Sequence, residues 1–211
     1  MVEKIDLKKE LKYLYSPSSK KVDVVEVPKF NFVMIDGQLE PGEPPAQSTT
    51  FQEAMGALFG LSYTLKFMSK LRKQNPIDYT VMAVEGLWWV GSGEFNFSSK
   101  EPWCWTLMMM QPAHITGEMY AAALAQVRTK RDSLALDLVR FEPFQEGLCI
   151  QTMHMGPYAD EPATLNRMEA FASGNGYRYH GRHHEIYLGD PRRSKPEKLR
   201  TILRHPIEIG L

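Results

Sequence analysis

The stretch from Glu85 to Met110, EGLWWVGSGEFNFSSKEPWCWTLMMM, limits the possible folds of this 211-residue chain more than any other. It holds all four tryptophans, Trp88, Trp89, Trp103 and Trp105, together with Phe95, Phe97 and the run Met108 to Met110. It reads as two strands and a polar connection. In the second strand Trp103, Trp105, Leu107 and Met109 fall on one face, and Cys104, Thr106, Met108 and Met110 on the other. Two such faces exceed what one small core needs. One of them is expected to line a hollow that a flat, apolar guest can enter, since surfaces rich in Trp and Met suit variable guests. Taken singly, each tryptophan is more at home in a core; the cluster as a whole favours a lined pocket.

Around this stretch the chain alternates strands and helices. Ile5, Leu7, Leu11 and Leu14 recur at helical spacing and predict a short amphipathic helix docked on the body, broken at Ser16-Pro17. Residues 22–27 and FNFVMID from Phe30 to Asp36 read as strands, the second closed by Gly37. A helix from Phe51 to about Lys73 follows, with Thr49 or Thr50 as its cap and Glu53 as the capping-box partner of Thr50. Gly56 and Gly60 would allow close packing of that helix. Tyr79 to Glu85 is a strand. Thr116 to Arg131 is alanine-rich and helical. Leu136 to Phe141 and Gly147 to Met155 are strands, Asp160 starts a helix with Pro162 in its first turn, and Tyr179 to Leu188 is expected to be the last strand. The basic segment 191–211 is expected to be partly helical after Pro196, with a solvated face.

The totals exclude several functions. Twenty-five basic and twenty-five acidic residues cancel, so no global field draws in nucleic acid or an anionic membrane. No apolar run is long enough to span a bilayer. The charged N-terminus lacks the apolar core of a signal peptide, and two cysteines, Cys104 and Cys149, make no disulfide framework; a reduced cytoplasm fits. His180, His183 and His184 lack the spacing of a metal site, and no Gly-rich phosphate loop is present, so neither metal nor cofactor is expected.

One plan is used twice. FNFVMID, Gly37, a polar loop, a helix and DYTVMAVE are followed later by CIQTMHM, Gly156, PYADEP, a helix and RYHGRHHEIYL. Two such strand-helix-strand-strand modules would pair about a pseudo-twofold axis, with helices on one face of an antiparallel sheet and a ligand groove at the axis. The segment HEIYLGDPRRSKPEKLRTILRHPI, with EGLWW, MHMGPYADEPAT and NGYRYHGRHHEIYL, resembles the GyrI-like small-molecule-binding family, in particular its stand-alone branch. The resemblance runs from about Val22 to Ile207. It implies an α+β fold of two tandem modules: a segment 1–20, then one domain over 21–211 with module one at about 21–110, module two at about 132–190 and the basic segment 191–211. The same fold serves as the effector domain of multidrug-sensing regulators, and part of the stand-alone branch is similar to enzymes that hydrolyse cyclopropane-bearing DNA-alkylating natural products.

If HHEIYL is a strand, Ile186, Leu188 and His184 turn to the helix-covered core, while His183, Glu185 and Tyr187 turn to the groove. A carboxylate among aromatic rings is costly to desolvate unless a cation or donors meet it. Glu185 is thus a natural partner for a delocalised cation, with indole rings adding cation–π contacts, and the resemblance implies the same role. A surface Glu185 paired with Arg182 is the plain alternative. Tyr158 either closes over a ligand or stands on the rim. Glu85 is a second acidic wall or, preferably, a solvent-facing turn residue. The expected ligand set is Glu185, Tyr187, Trp88, Trp89, Trp103, Trp105, Met110, Tyr158 and His183. The expected function is binding of planar aromatic, often cationic molecules. A hydrolase with Glu185 as general base is the first alternative, and an effector subunit working through a separate DNA-binding partner the second.

Overall fold

A computed structural model describes residues 2–93, 95, 99–130 and 133–210. In chain order the elements are β1 (Glu3–Ile5), α1 (Leu7–Glu10), α2 (Lys12–Tyr15), β2 (Asp23–Val27), β3 (Phe30–Leu39), α3 (Thr49–Leu71), β4 (Ile77–Tyr79), β5 (Val84–Val90), β6 (Trp103–Gln111), α4 (Gly117–Arg128), α5 (Ala135–Leu138), β7 (Arg140–Phe144), β8 (Gly147–Met155), α6 (Glu161–Gly174), β9 (Tyr177–Tyr179), β10 (His183–Tyr187) and β11 (Arg200–Ile209). A 3-10 turn, Tyr158–Asp160, leads into α6.

The main sheet runs β2-β8-β11-β10-β5-β6-β3-β7, with β9 added to the far end of β11. Every pairing in it is antiparallel. The order is the same outward from the β5·β10 seam: β10, β11, β8 on one side and β5, β6, β3 on the other. Each half is a strand, a helix and two strands, as the repeated pattern predicts. The second strand of module two differs from expectation. Tyr179 to Leu188 is interrupted at Gly181, where φ is +71°, and yields β9 and β10. The final strand is β11, in the basic segment expected to be partly helical after Pro196, where only the 3-10 turn Pro196–Lys198 is helical. Residues 201–207 are buried on both faces, so period-2 alternation is lost, and Pro206 and the cations hide the strand signal.

Directly opposed residues share a face of the sheet. The register pairs Glu185 with Gly86 and Leu203, and Glu85 with Ile186 and Met108. The two glutamates therefore lie on opposite faces. On the Glu185 face α3 and α4 pack on Val33, Ile35, Trp88, Trp105, Leu107 and Met109. There α6 packs through Met168 and Ala172 on Ile150 and Leu203. On the Glu85 face α1 and α2 cover Phe32, Met34, Met108, Met110, Ile186 and Ile202. The expected split of β10 into two faces holds, but the long helices cover the Glu185 face and not the Ile186 face.

Local sequence accounts for most boundaries. Ser48 caps α3 by accepting from Phe51 N–H, two residues before Thr50. Thr116 caps α4 by accepting from Met119 N–H. Arg131, expected at the end of this helix, lies outside the described residues. Residues 136–138 form a helical turn rather than the start of a strand, and β7 begins at Arg140. The N-terminal helix docks as expected, but as two short turns. Gly37 does not end its strand. It faces Trp105 in mid-strand, and a Cβ there would lie 2.1 Å from the indole. A Cβ on Gly60 would lie 3.9 Å from Val127 of α4, an ordinary contact, so the packing of α3 on α4 does not require glycine there as expected. Among the described residues no helix is long and apolar enough to cross a membrane.

Candidate functional site

The β5·β10 seam carries Glu185 on the face of the sheet that α3 and α6 cover. Its side of the sheet is dry: Glu185 is 6% exposed, His183 3% and Trp88 4%. The N-terminus of α6 brings a second carboxyl to it. Glu161, wholly buried, lies against Glu185 and beside Thr201. Neither Glu161 oxygen nor the Thr201 hydroxyl makes a hydrogen bond of regular geometry with a donor among the described residues. Burial, and then the charge of Glu185, push the Glu161 carboxyl up to about 10. Two carboxyls forced together in a dry site thus hold a proton between them at ordinary pH. Sequence reading missed Glu161. Its one signal was its position beside Pro162 at a helix start, directly after the Gly156-Pro157-Tyr158 turn.

Two tyrosines flank the acid pair. The Tyr187 hydroxyl accepts from Trp88 Nε1 at 2.9 Å and adjoins Glu185. Tyr158 meets Tyr187 edge-on, with ring centroids 5.9 Å apart. Burial and then Glu185 raise both phenols, Tyr158 to about 12 and Tyr187 well above its ordinary value. Both remain protonated donors. Gly86 makes this contact possible. A Cβ there would lie 2.8 Å from Trp88 Nε1 and 3.1 Å from the Tyr187 hydroxyl.

The far wall is aromatic. His183 Nε2 lies 3.1 Å from Glu185 Oε1. Phe95 stacks on His183 with centroids 5.5 Å apart and meets Trp103 edge-on at 4.9 Å. Trp88 lies 6.1 Å from Phe95 and 6.4 Å from Trp103. Glu185, Tyr187, Tyr158, His183, Trp88 and Trp103 thus come together. The other three expected ligand residues do not. Trp105 is fully buried, edge-on to Phe51 at 5.3 Å, and serves as core. Trp89 points to the opposite face, where the Arg182 guanidinium lies 3.6 Å over its ring. Met110 also belongs to that face, in register with Phe32. Phe97 lies outside the described residues.

The opposite face holds a buried charge network. Glu85, expected in solvent, is 1% exposed. It accepts from the Tyr15 hydroxyl at 2.7 Å and lies 3.1 Å from His184 Nε2. His184 Nδ1 lies 3.0 Å from Glu146, which lies 3.3 Å from Arg204. Burial opposes the charge on His184, but Glu146 and then Glu85 overcome it and raise the ring to about 9. Burial likewise opposes charge on Glu146, and His184 and Arg204 overcome it, to about 2. The network ties down the first residues of the chain. Gln151 donates to the Tyr13 carbonyl at 2.7 Å, Arg204 to that of Leu14 at 2.9 Å, and Met153 N–H to that of Ser18 at 3.1 Å. A cavity of about 10 Å³ remains among Tyr15, Phe32, Glu85, Glu146, His184 and Arg204, room for roughly one water. Among the described residues no group of three or more His, Cys, Asp or Glu is placed to hold a metal ion.

Comparison with known proteins places this geometry. An uncharacterized conserved protein from Listeria innocua superposes with a TM-score of 0.87 at 35% identity, over 97% of this chain and 100% of that one. A hydrolase from Listeria innocua superposes with a TM-score of 0.82 at 36% identity, again over 97% and 100%. The C-terminal domain of EcmrR shares the fold, with a TM-score of 0.53 at 10% identity over 90% of this chain and 98% of that one. No functionally curated protein matches significantly. Residues 106–208 match the GyrI-like small molecule binding domain. That span takes in β6 from Thr106 on, the β8 to α6 turn, both carboxyls of the acid pair and β11 as far as Glu208, and the chain belongs to the GyrI-like small-molecule-binding family.

Proposed function

We propose that the protein is a hydrolase of flat, apolar electrophiles in which a cyclopropane is conjugated to a carbonyl. The observation that carries this reading is the Glu161 carboxyl, fully buried against that of Glu185, so that the pair shares a proton. A proton donor and a proton acceptor in one dry site are what addition of water to a strained ring requires. Glu185 takes a proton from water as its oxygen attacks a ring carbon. The carbon–carbon bond breaks, and its electrons flow to the carbonyl oxygen, which takes the Glu161 proton. The product is one molecule, the substrate plus one water, with a new alcohol on the attacked carbon and an enol at the former carbonyl; the enol is a phenol where that carbonyl belonged to a cyclohexadienone. Exchange of a proton between the two carboxyls resets the pair. Tyr158 and Tyr187 donate to the developing oxyanion or hold Glu185 in place, and Trp88, Trp103 and Phe95 grip the flat rings. The 36% identical Listeria protein, itself described as a hydrolase, supports the reading.

Mass spectrometry of a cyclopropane-bearing DNA alkylator after incubation tests it. Gain of one water, lost in Glu161→Gln and Glu185→Gln, is expected. Recovery of the unchanged compound refutes it. A second reading, binding of planar cations without chemistry, draws on the burial of Glu185 beside Trp88, Trp103 and Phe95. It predicts instead an unchanged compound together with tight quenching of indole fluorescence by a cationic dye, weakened in Glu185→Gln.

A further inference from the structure

We propose that His154 is a positioning residue for the acid pair: its imidazole holds the segment that carries Tyr158 and Glu161 over Glu185. The inference rests on the acid pair described above and assigns it a support outside the reacting groups. His154 is in β8 and is 4% exposed. Its Nε2 lies 3.1 Å from the carbonyl of Pro157, the residue before Tyr158. Its Nδ1 lies 2.9 Å from the Thr164 hydroxyl, in the first turn of α6. Tyr158 and Glu161 lie in sequence between these two anchors.

The partners set the tautomer. A carbonyl oxygen only accepts, so Nε2 carries the proton. In the neutral ring Nδ1 then accepts from Thr164 O–H, and both edges of the imidazole are used. The turn needs such a brace. Gly156 has φ +127°, a conformation that a side chain rarely adopts, and its Cβ direction points toward His154 Nε2 at 3.8 Å and Asp160 at 3.9 Å. The register continues the support sideways. His154 opposes Thr201, and Thr201 opposes Tyr187, so a single row of the sheet runs from the brace to the phenol beside Glu185. Glu161 itself faces Glu185, Thr201, Tyr158 and Tyr187. A shift of the 157–164 segment moves Glu161 and Tyr158 together away from Glu185.

The test needs no substrate. Full-length protein labelled with ¹³C at the glutamate carboxyl carbons is titrated by NMR, alongside a thermal melt. The wild type is expected to show one carboxyl still neutral at about pH 8. In His154→Leu that carboxyl should titrate at least about one pH unit lower while the melt stays cooperative. His154→Gln places an amide N–H near the Nε2 position and should restore most of the wild-type midpoint, which a purely space-filling role would not predict. Should His154→Leu fail to fold, Thr164→Val removes one anchor and should give a smaller shift in the same direction. A wild-type midpoint in the folded variants, His154→Leu or Thr164→Val, overturns the proposal while leaving the acid pair intact. A wild type with no neutral carboxyl at that pH overturns the acid pair and this proposal with it.

Discussion

Trp88 donates its indole N–H to the Tyr187 hydroxyl at 2.9 Å, across the seam and directly above Gly86. The hydroxyl proton is thereby left for Glu185. Alanine at position 86 would drive its Cβ into this contact, at 2.8 Å from the indole nitrogen. Replacing a strand glycine by alanine ordinarily gains a little stability. Here Gly86→Ala is expected to lose about 1–3 kcal/mol, the cost of an unpaired buried donor. Urea unfolding followed by tryptophan emission measures it, and turnover should fall in parallel.

Glu161→Gln should separate stability from activity. The folded carboxyl titrates at about 10 against an ordinary 4.5. The folded state thus holds a proton that the unfolded state releases. Its contribution is full below about 4.5 and is lost as pH rises toward 10. Each pH unit in that window costs about 1.4 kcal/mol at most. Urea melts from about pH 5 to 9 should show the wild type weakening and Glu161→Gln holding level. The variant is then the more stable protein at pH near 8, and inactive.

His184 and Glu146 lose their contributions at opposite ends of the pH range. His184 is raised from 6.5 to about 9, so its contribution is full below the ordinary value and is lost as pH rises through 9. Glu146 is lowered from 4.5 to about 2, so its contribution is present above the ordinary value and is lost as pH falls through 2. His184→Leu would leave Glu85 and Glu146 as buried carboxylates facing a gap, at a cost of about 3–5 kcal/mol. Denaturant melts measure the loss, and limited proteolysis should cut first within residues 7–20, whose carbonyls the network holds.

Tyr15→Phe keeps the ring and removes only the bond to Glu85. It should cost about 1.5–3 kcal/mol, the range for a hydrogen bond to a charged group. A double-mutant cycle with Glu85→Gln should show strong coupling between the two positions, and independent effects would disprove the bond's role.

The seam strands were legible because alternation is a strong signal where one residue type dominates. Trp103, Trp105, Leu107 and Met109 share a face as their spacing required. The same signal could not say which face the helices cover, since β10 is buried on both sides. That ambiguity misplaced Met110, whereas Glu85 was misplaced by reading a turn where β5 runs straight through Gly86. Glu161 was hidden for another reason. An acid in the first turn of a helix is ordinary, and only its contact with a strand 24 positions later makes it unusual. β11 was masked by its arginines, because the partners that allow Arg204 to be buried, Glu146, Gln151 and the Leu14 carbonyl, are remote in sequence.

The opposed orientation of Glu85 and Glu185 has a bearing on folding fidelity. Moving β10 by a single residue would turn the imidazole of His184 toward the tryptophans and drive Glu185 among Met108, Ile202 and their neighbours. Such a mispaired chain would hold an uncompensated ion in its interior on each side. Alignment errors at this junction are therefore self-eliminating: they yield an unfolded protein instead of a long-lived, inactive isomer.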